Sequence, residues 1–287
     1  MRFEGKLIEN VAKIREFYRK TEISEIPDLE KRRIFVEDLK SFLRGLKVAG
    51  VDGSQISPLK DFGLPFGGVQ AARLVVEHGK GKYDLKYKSG IAHESNLELE
   101  RFKLEVEMLK EVMSEDVYAF YDGSFSFFFA SEMSEKLRRA YLKEFEELIK
   151  LSEENETPVI AYVDRSYSRE LFQNTYDSYV LRSYLSMFEF VEPIKRGDLL
   201  ITYFKVNPTF PAKIEMPAWL EDRIEEVLKV ILAECLISST SGYPYILERV
   251  HKYATISERE KEEFVKAVGA KMLSYKFVSK LKGKGKI

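Results

Sequence analysis

"VAGVDGSQIS" spans Val48–Ser57, and "YAFYDGSFSFFF" spans Tyr118–Phe129. Each is an apolar run that halts at Asp-Gly-Ser and then resumes as a strand-like stretch. A carboxylate inside an apolar strand must be paired, hydrogen-bonded or bound to a cation, because desolvating it alone is strongly unfavourable. One Asp-Gly-Ser alone is also ordinary turn chemistry. Two of them, each closing an apolar strand, point to a shared purpose. The glycine after each aspartate leaves room for a backbone or a phosphate to come close. Ser54 and Ser124 can hydrogen-bond the carboxylate or a substrate oxygen.

Outward from the first motif, "LKVAGVDGSQIS", "GGVQAARLVVEHG" and "KYDLKYKSGIA" read as three strands joined by short glycine turns, an antiparallel meander. "SNLELERFKLEVEMLKEVM" follows as a helix, with Ser95 or Asn96 as its N-cap. Then come the strand "DVYAFYDGSFSFFFA", the long helix "SEKLRRAYLKEFEELIKLSEEN", the strand "TPVIAYVDRS" and the helix "SRELFQNTYDSYVLRSYLSMFEF". That order is RNase H-like: an α/β fold whose mixed sheet has three antiparallel strands followed by parallel ones, flanked by helices. Strands one, four and five then lie side by side and parallel. Asp52 and Asp122 become neighbours, close enough to share a cation.

The ends add helices. Lys6–Arg44 has Leu7, Val11, Ile14 and Phe17 at helical spacing, and "FVEDLKSFL" forms a second short helix after Pro27. Beyond the core come the strand "DLLITYFKVN", the proline-bearing "PTFPAKIEMP" and the helix "AWLEDRIEEVLKVILAECLIS". "SGYPYILERVHKYATIS" and a closing helix from Glu258 to about Leu273 follow. No linker marks a boundary. The expectation is one domain over 1–287, with N-terminal helices in 1–45, the core in 46–192 and completing elements in 193–287.

Lys and Arg number 46 against 47 Asp and Glu, so overall charge indicates neither nucleic acid nor membrane. After Glu263 there are seven lysines and no acid, a tail that reads either as a solvated end or as an anion-binding arm. The single cysteine, Cys235, excludes an internal disulfide and a cysteine-based zinc cluster. There is no apolar run of membrane-spanning length and no signal-peptide core, so a soluble cytoplasmic protein without membrane attachment is expected. Abundant Lys and Glu with few Cys and His is a thermophile-like bias.

Two adjacent carboxylates repel unless a cation sits between them. Mn²⁺ or Mg²⁺ suits oxygen donors and binds through one or two carboxylates plus phosphate. Metal-assisted phosphodiester hydrolysis usually takes a third acid, and the helix after the meander offers Glu98, Glu100, Glu105 and Glu107. Leu99, Phe102, Val106, Leu109 and Met113 form its apolar stripe. Glu105 adjoins the edge of that stripe; Glu107 is its rival, and each of these glutamates also reads as a solvated face residue. His251, in "YPYILERVHKY", is either a boundary histidine or a late addition that ligates metal or shuttles a proton. In "KYDLKYK", Lys82, Lys86 and Lys88 share one face, either a solvated sheet face or a basic wall that follows a nucleic-acid backbone.

These stretches together resemble the NurA family of prokaryotic DNA-end-processing nucleases. The resemblance rests on "VDGS", the helix glutamate, "YDGS", "YFKVNPTFPAKIEMP" and "SGYPYILERVH", and it covers most of the chain. It implies a Mn²⁺-dependent nuclease acting on single- and double-stranded DNA, with 5′→3′ exonuclease and single-strand endonuclease activity. It further implies a homodimer that docks on a hexameric HerA-type DNA-translocating ATPase during end resection in double-strand break repair. By motif position the metal-site residues fall on Asp52, Glu105, Asp122 and His251, with Tyr243 close by. Where the family often has a Ser-Lys pair, this chain reads "VDRSYSRE"; Arg165 and Ser166 are the phosphate-facing counterparts, and Asp164 is an added acid that is either a further ligand or a partner for Arg165. The competing reading is a sugar-kinase or actin-like ATPase, which uses Asp-Gly-Ser turns to cradle ATP phosphates. A catalytically dead scaffold for the ATPase is a third.

Overall fold

The strand that carries the first motif does not stop at it. In the computed structural model, β2 (Lys47–Ile56) runs straight through Asp52-Gly53-Ser54, because its antiparallel ladder with β3 (Phe66–Glu77) continues to the pair Ile56↔Gly68. The structure describes residues 10–16, 29–60, 63–113, 116–126, 133–172 and 175–268. Within these, the chain divides into two compact units: Leu43–Ile160 with Ile246–Ile287, and Met1–Phe42 with Ala161–Tyr245.

The first of these units holds both Asp-Gly-Ser motifs. Its strand order is β5-β2-β3-β4, where β4 is Tyr83–His93 and β5 is Tyr118–Asp122; β6 (Val159–Val163) begins beside β5. β2–β3–β4 form the expected antiparallel meander, and β5 pairs parallel to β2 from Val48↔Tyr118 to Val51↔Tyr121. The RNase H-like order is therefore present. Every residue from Val48 to Asp52 is buried, as in a central strand covered on both faces.

Helix α2 (Leu97–Lys110) makes the crossover from β4 to β5, and its stripe Leu99, Phe102, Val106, Leu109, continued by Met113, is buried as its spacing predicts. Asn96 is its N-cap position, without a side-chain capping bond. α3 (Glu135–Glu154) links β5 to β6, capped by Ser134, whose hydroxyl accepts from the Leu137 N–H.

On the other face of β2 lies α6 (Tyr245–Ala254), followed by α7 (Glu258–Ala267) with a Ser257/Glu260 capping box. Gly50 lets α6 come close: a Cβ there would stand 2.9 Å from both Cγ1 and the carbonyl oxygen of Ile246. Helix-on-strand contact this tight is what brings the next turns of α6 to the aspartate two residues on.

The second unit contains β1 (Lys31–Arg33), α1 (Leu39–Leu43) at its border, and the strands β7 (Glu189–Val191), β8 (Ile194–Arg196), β9 (Leu199–Phe204) and β10 (Ala212–Pro217). Its order is β1-β7-β9-β10-β6, with β8 on β9. It also holds α4 (Asp177–Tyr184) and α5 (Ile224–Ile237). Two expectations fail here. Residues 31–33, read as helical, form an edge strand, because the ladder to β7 and the pairs of Lys31 and Arg33 with Glu189 outweigh local spacing. The helix read over 168–190 shrinks to α4. Buried Asp177 accepts the N–H groups of Glu170, Leu171 and Phe172 and the Tyr203 hydroxyl, which fixes residues 170–172 as a loop and uses donors a helix there would need. Phe17, Pro27, the end of "FSFFFA" and the basic tail lie outside the described residues.

Candidate metal centre

Parallel register sets the two aspartates side by side. Val51 faces Tyr121, so Asp52 and Asp122, next along each strand, point to the α6 face together. His251 reaches them from α6. Its Nδ1 lies 2.8 Å from Asp52 Oδ2, the ring N–H donating to the carboxylate, and 4.0 Å from Asp122 Oδ2. Donor atoms of Asp52, Asp122 and His251 all fall within 4.8 Å of one another. Two carboxylates and an imidazole at this spacing fit a divalent cation. Asp52 is buried, and burial raises its pKa against the opposing pull of His251.

Glu105 approaches from the opposite helix. It is 2% exposed, accepts a 3.0 Å hydrogen bond from the Tyr121 hydroxyl, and lines the same cleft of about 290 Å³ as Asp52, Asp122, Gly53 and Ser124. Burial pushes its pKa up to about 8, opposed by Arg101 and by the Tyr121 hydrogen bond. Glu105 stands outside the tight cluster of Asp52, Asp122 and His251. Its rival Glu107 points away, ion-paired to Lys88.

Gly53 makes room on the α2 face of β2 for the Glu105 carboxylate. A Cβ at residue 53 would overlap Glu105 Oε1 and stand 3.0 Å from Arg101 Cγ. The sequence reading reserved that space for backbone or phosphate; the occupant is Glu105. Gly53→Ala is therefore expected to overpack the cleft and destabilise the fold by about 1–3 kcal/mol, read as a lowered thermal midpoint in the metal-free protein. An unchanged midpoint would mean that Glu105 has another place to go.

The remaining candidates are dispersed. Ser54 uses its hydroxyl structurally, donating to the Ala254 carbonyl at 2.7 Å and accepting from the Ile256 N–H, so it ties the end of α6 to β2. Ser124 lines the cleft and accepts from the Ser126 N–H. Lys86 and Lys88 stand on the α2 face of β4, in register with Arg73 and Ala71, and pair with Glu111, at 3.6 and 2.7 Å. Asp52 points to the other face. Arg165, Ser166 and Tyr243 belong to the second unit: Arg165 is exposed and 3.8 Å from Asp164, Ser166 is buried and accepts from the Ser168 N–H, and Tyr243 packs edge-on against Tyr162. Burial raises the Asp164 pKa.

The sequence did not mark Tyr121 or Arg101 as site residues, yet both line the cleft. Tyr121 is fully packed, stacked on Phe125 at 4.9 Å, and aims its hydroxyl at Glu105. Its signal lay in the alternation of "YAFYD", which turns Tyr121 to the α2 face when Asp122 turns to the other. Arg101, one turn before Glu105, also lines the cleft.

The NurA domain model matches residues 46–256. Among solved structures, the NurA nuclease from Sulfolobus solfataricus aligns with a TM-score of 0.68 at 17% identity, over 94% of this chain and 97% of that one. A NurA structure with manganese (10% identity, TM-score 0.54) covers 91% of this chain and 98% of its own. Another, bound to dAMP and manganese (10% identity, TM-score 0.53), covers 95% and 96%. At such identities these likenesses speak to the fold alone. No curated protein matches significantly. Because the matched span takes in both Asp-Gly-Ser strands, the glutamate helix and the histidine helix, this chain belongs to the NurA domain family.

Proposed function

We propose that the chain is a Mn²⁺-dependent deoxyribonuclease that hydrolyses phosphodiester bonds, with Mg²⁺ as a possible substitute. The observation that carries this reading is the cluster of donor atoms from Asp52, Asp122 and His251, with Asp52, Asp122 and Glu105 lining one open cleft. A cation bound there supplies Lewis-acid polarisation of a phosphoryl oxygen and offsets the charge that develops on it. Asp52 and Asp122 would hold it from the strands, and Glu105 from α2 would complete the acid set. Tyr121 orients Glu105 through its hydroxyl. His251 orients Asp52 through Nδ1–H; its side chain is 60% exposed, open to an incoming strand. Hydrolysis would join the oxygen of water to phosphorus and break the bond to a sugar oxygen; the water loses a proton, the sugar oxygen takes one, and His251 is the group assigned to that transfer.

The family resemblance supports the finer reading: 5′→3′ exonuclease and single-strand endonuclease activity, a homodimer, and action with a HerA-type hexameric ATPase in end resection. It also supports roles for Arg165, Ser166 and Tyr243 in substrate contact and a cytoplasmic location. Among the described residues no helix is long and apolar enough to cross a membrane. A sugar-kinase or actin-like ATPase would cradle nucleotide phosphates with Asp-Gly-Ser turns in two separate sheets; here both motifs border one cleft.

The test is cleavage of end-labelled single- and double-stranded oligodeoxynucleotides with Mn²⁺, with EDTA, and with ATP added. Metal-dependent shortening indifferent to ATP is expected. Intact DNA in Mn²⁺, or ATP consumption without DNA cleavage, would overturn the reading.

A further inference from the structure

Arg101 is the only lysine or arginine lining the cleft among the described residues. It sits one turn before Glu105 on α2, with its Cγ against Gly53. Its Nε is buried without a hydrogen-bond partner and stands 3.6 Å from Glu105 Oε1, too far for a hydrogen bond, while 36% of the side chain is exposed. The guanidinium is thus ion-paired with Glu105, but its Nε makes no hydrogen bond to it. Glu105 spends its other oxygen on Tyr121, and Asp52 spends one on His251 and one on its neighbouring Gly53 N–H.

The charge balance gives that arrangement a use. Three ionised carboxylates outweigh one divalent cation, so a phosphodiester entering the cleft meets residual negative charge. A planar guanidinium with free donors matches two phosphate oxygens at once and stays charged at every working pH. We infer that Arg101 is the residue that grips the scissile phosphodiester, its fork binding the non-bridging oxygens and stabilising the charge that grows on them in the transition state. This rests on the nuclease reading above. A counter-ion for Glu105 alone is the competing role, and it makes different predictions.

Two readouts separate them. First, binding of a fluorescein-labelled single-stranded oligodeoxynucleotide is followed by anisotropy in EDTA, over a series of salt concentrations, for wild type, Arg101→Met and Arg101→Lys. Loss of one phosphate contact should reduce the slope of log Kd against log salt by about 0.7 in Arg101→Met and leave it intact in Arg101→Lys. Second, kcat with saturating Mn²⁺ should fall about 10²–10³-fold in Arg101→Met, with partial recovery in Arg101→Lys. Mn²⁺ affinity should hold or rise, because a neighbouring positive charge has gone.

An unchanged salt slope in Arg101→Met, or a rate loss matched by an equal loss of Mn²⁺ affinity, overturns the inference. Should Arg101→Met not fold, Arg101→Lys decides: a full slope with reduced kcat supports the grip, and wild-type kcat sinks it. A wild type that cleaves nothing while Arg101→Met still loses slope would remove the nuclease reading and keep the phosphate site.

Discussion

Asp52→Asn and Asp122→Asn are each expected to reduce Mn²⁺-dependent cleavage by about 10³-fold or more, since a metal site of this kind supplies several kcal/mol of transition-state stabilisation. Neither should unfold the protein. Asp52 is buried with its pKa raised by that burial, so its ionised form is a burden on the metal-free fold, and asparagine keeps the shape without the charge. Circular dichroism and thermal midpoints in EDTA should match or exceed wild type while the rate collapses. A folded variant with near-normal rate would remove that aspartate from the centre.

The second large effect is a dependence on pH. Glu105 titrates near 4.5 as a free side chain and at about 8 in the fold, chiefly because burial disfavours its charge. With the folded pKa raised, the contribution is intact below pH 4.5 and is lost as pH rises through 8. The metal-free protein therefore loses stability across that window at about 1.4 kcal/mol per pH unit, a few kcal/mol in all. Glu105→Gln still accepts the Tyr121 hydrogen bond and has no charge to bury. Its thermal midpoint in EDTA should fall less than that of wild type between pH 5 and 8.5, and its Mn²⁺-dependent cleavage should be nearly abolished. In wild type, Mn²⁺ must displace a proton from Glu105, so its affinity should climb with pH over the same range. Parallel stability curves for wild type and Glu105→Gln would show that Glu105 is ionised at no penalty.

Much of this centre was legible in the residues. The change from helical spacing to period-two strands at Leu46 announced the meander, and the stripe Leu99-Phe102-Val106-Leu109-Met113 set Glu105 at its edge while leaving Glu107 as a rival. Asp52 and Asp122 could be paired because parallel strands in this order leave little freedom of register. Local pattern failed where long-range pairing decides. Lys31–Arg33 is a strand only because β7 lies beside it, and residues 170–172 form a loop only because Asp177 captures their N–H groups. Lys86 and Lys88 of "KYDLKYK" share a face of β4, and Glu107 of α2 with Glu111 just past its end pair with them. Arg101 and the true occupant of the space above Gly53 needed the packing of α2 on β2, which no spacing rule encodes.

The most direct test of the account is Mn²⁺ binding itself, followed by electron paramagnetic resonance of the free ion during titration of wild type and of the Asp52→Asn/Asp122→Asn double variant. Wild type should bind Mn²⁺, with affinity rising with pH, and the folded double variant should leave the free-ion signal at its buffer value. Equal binding by both proteins would contradict the assignment of the cation to these two strands.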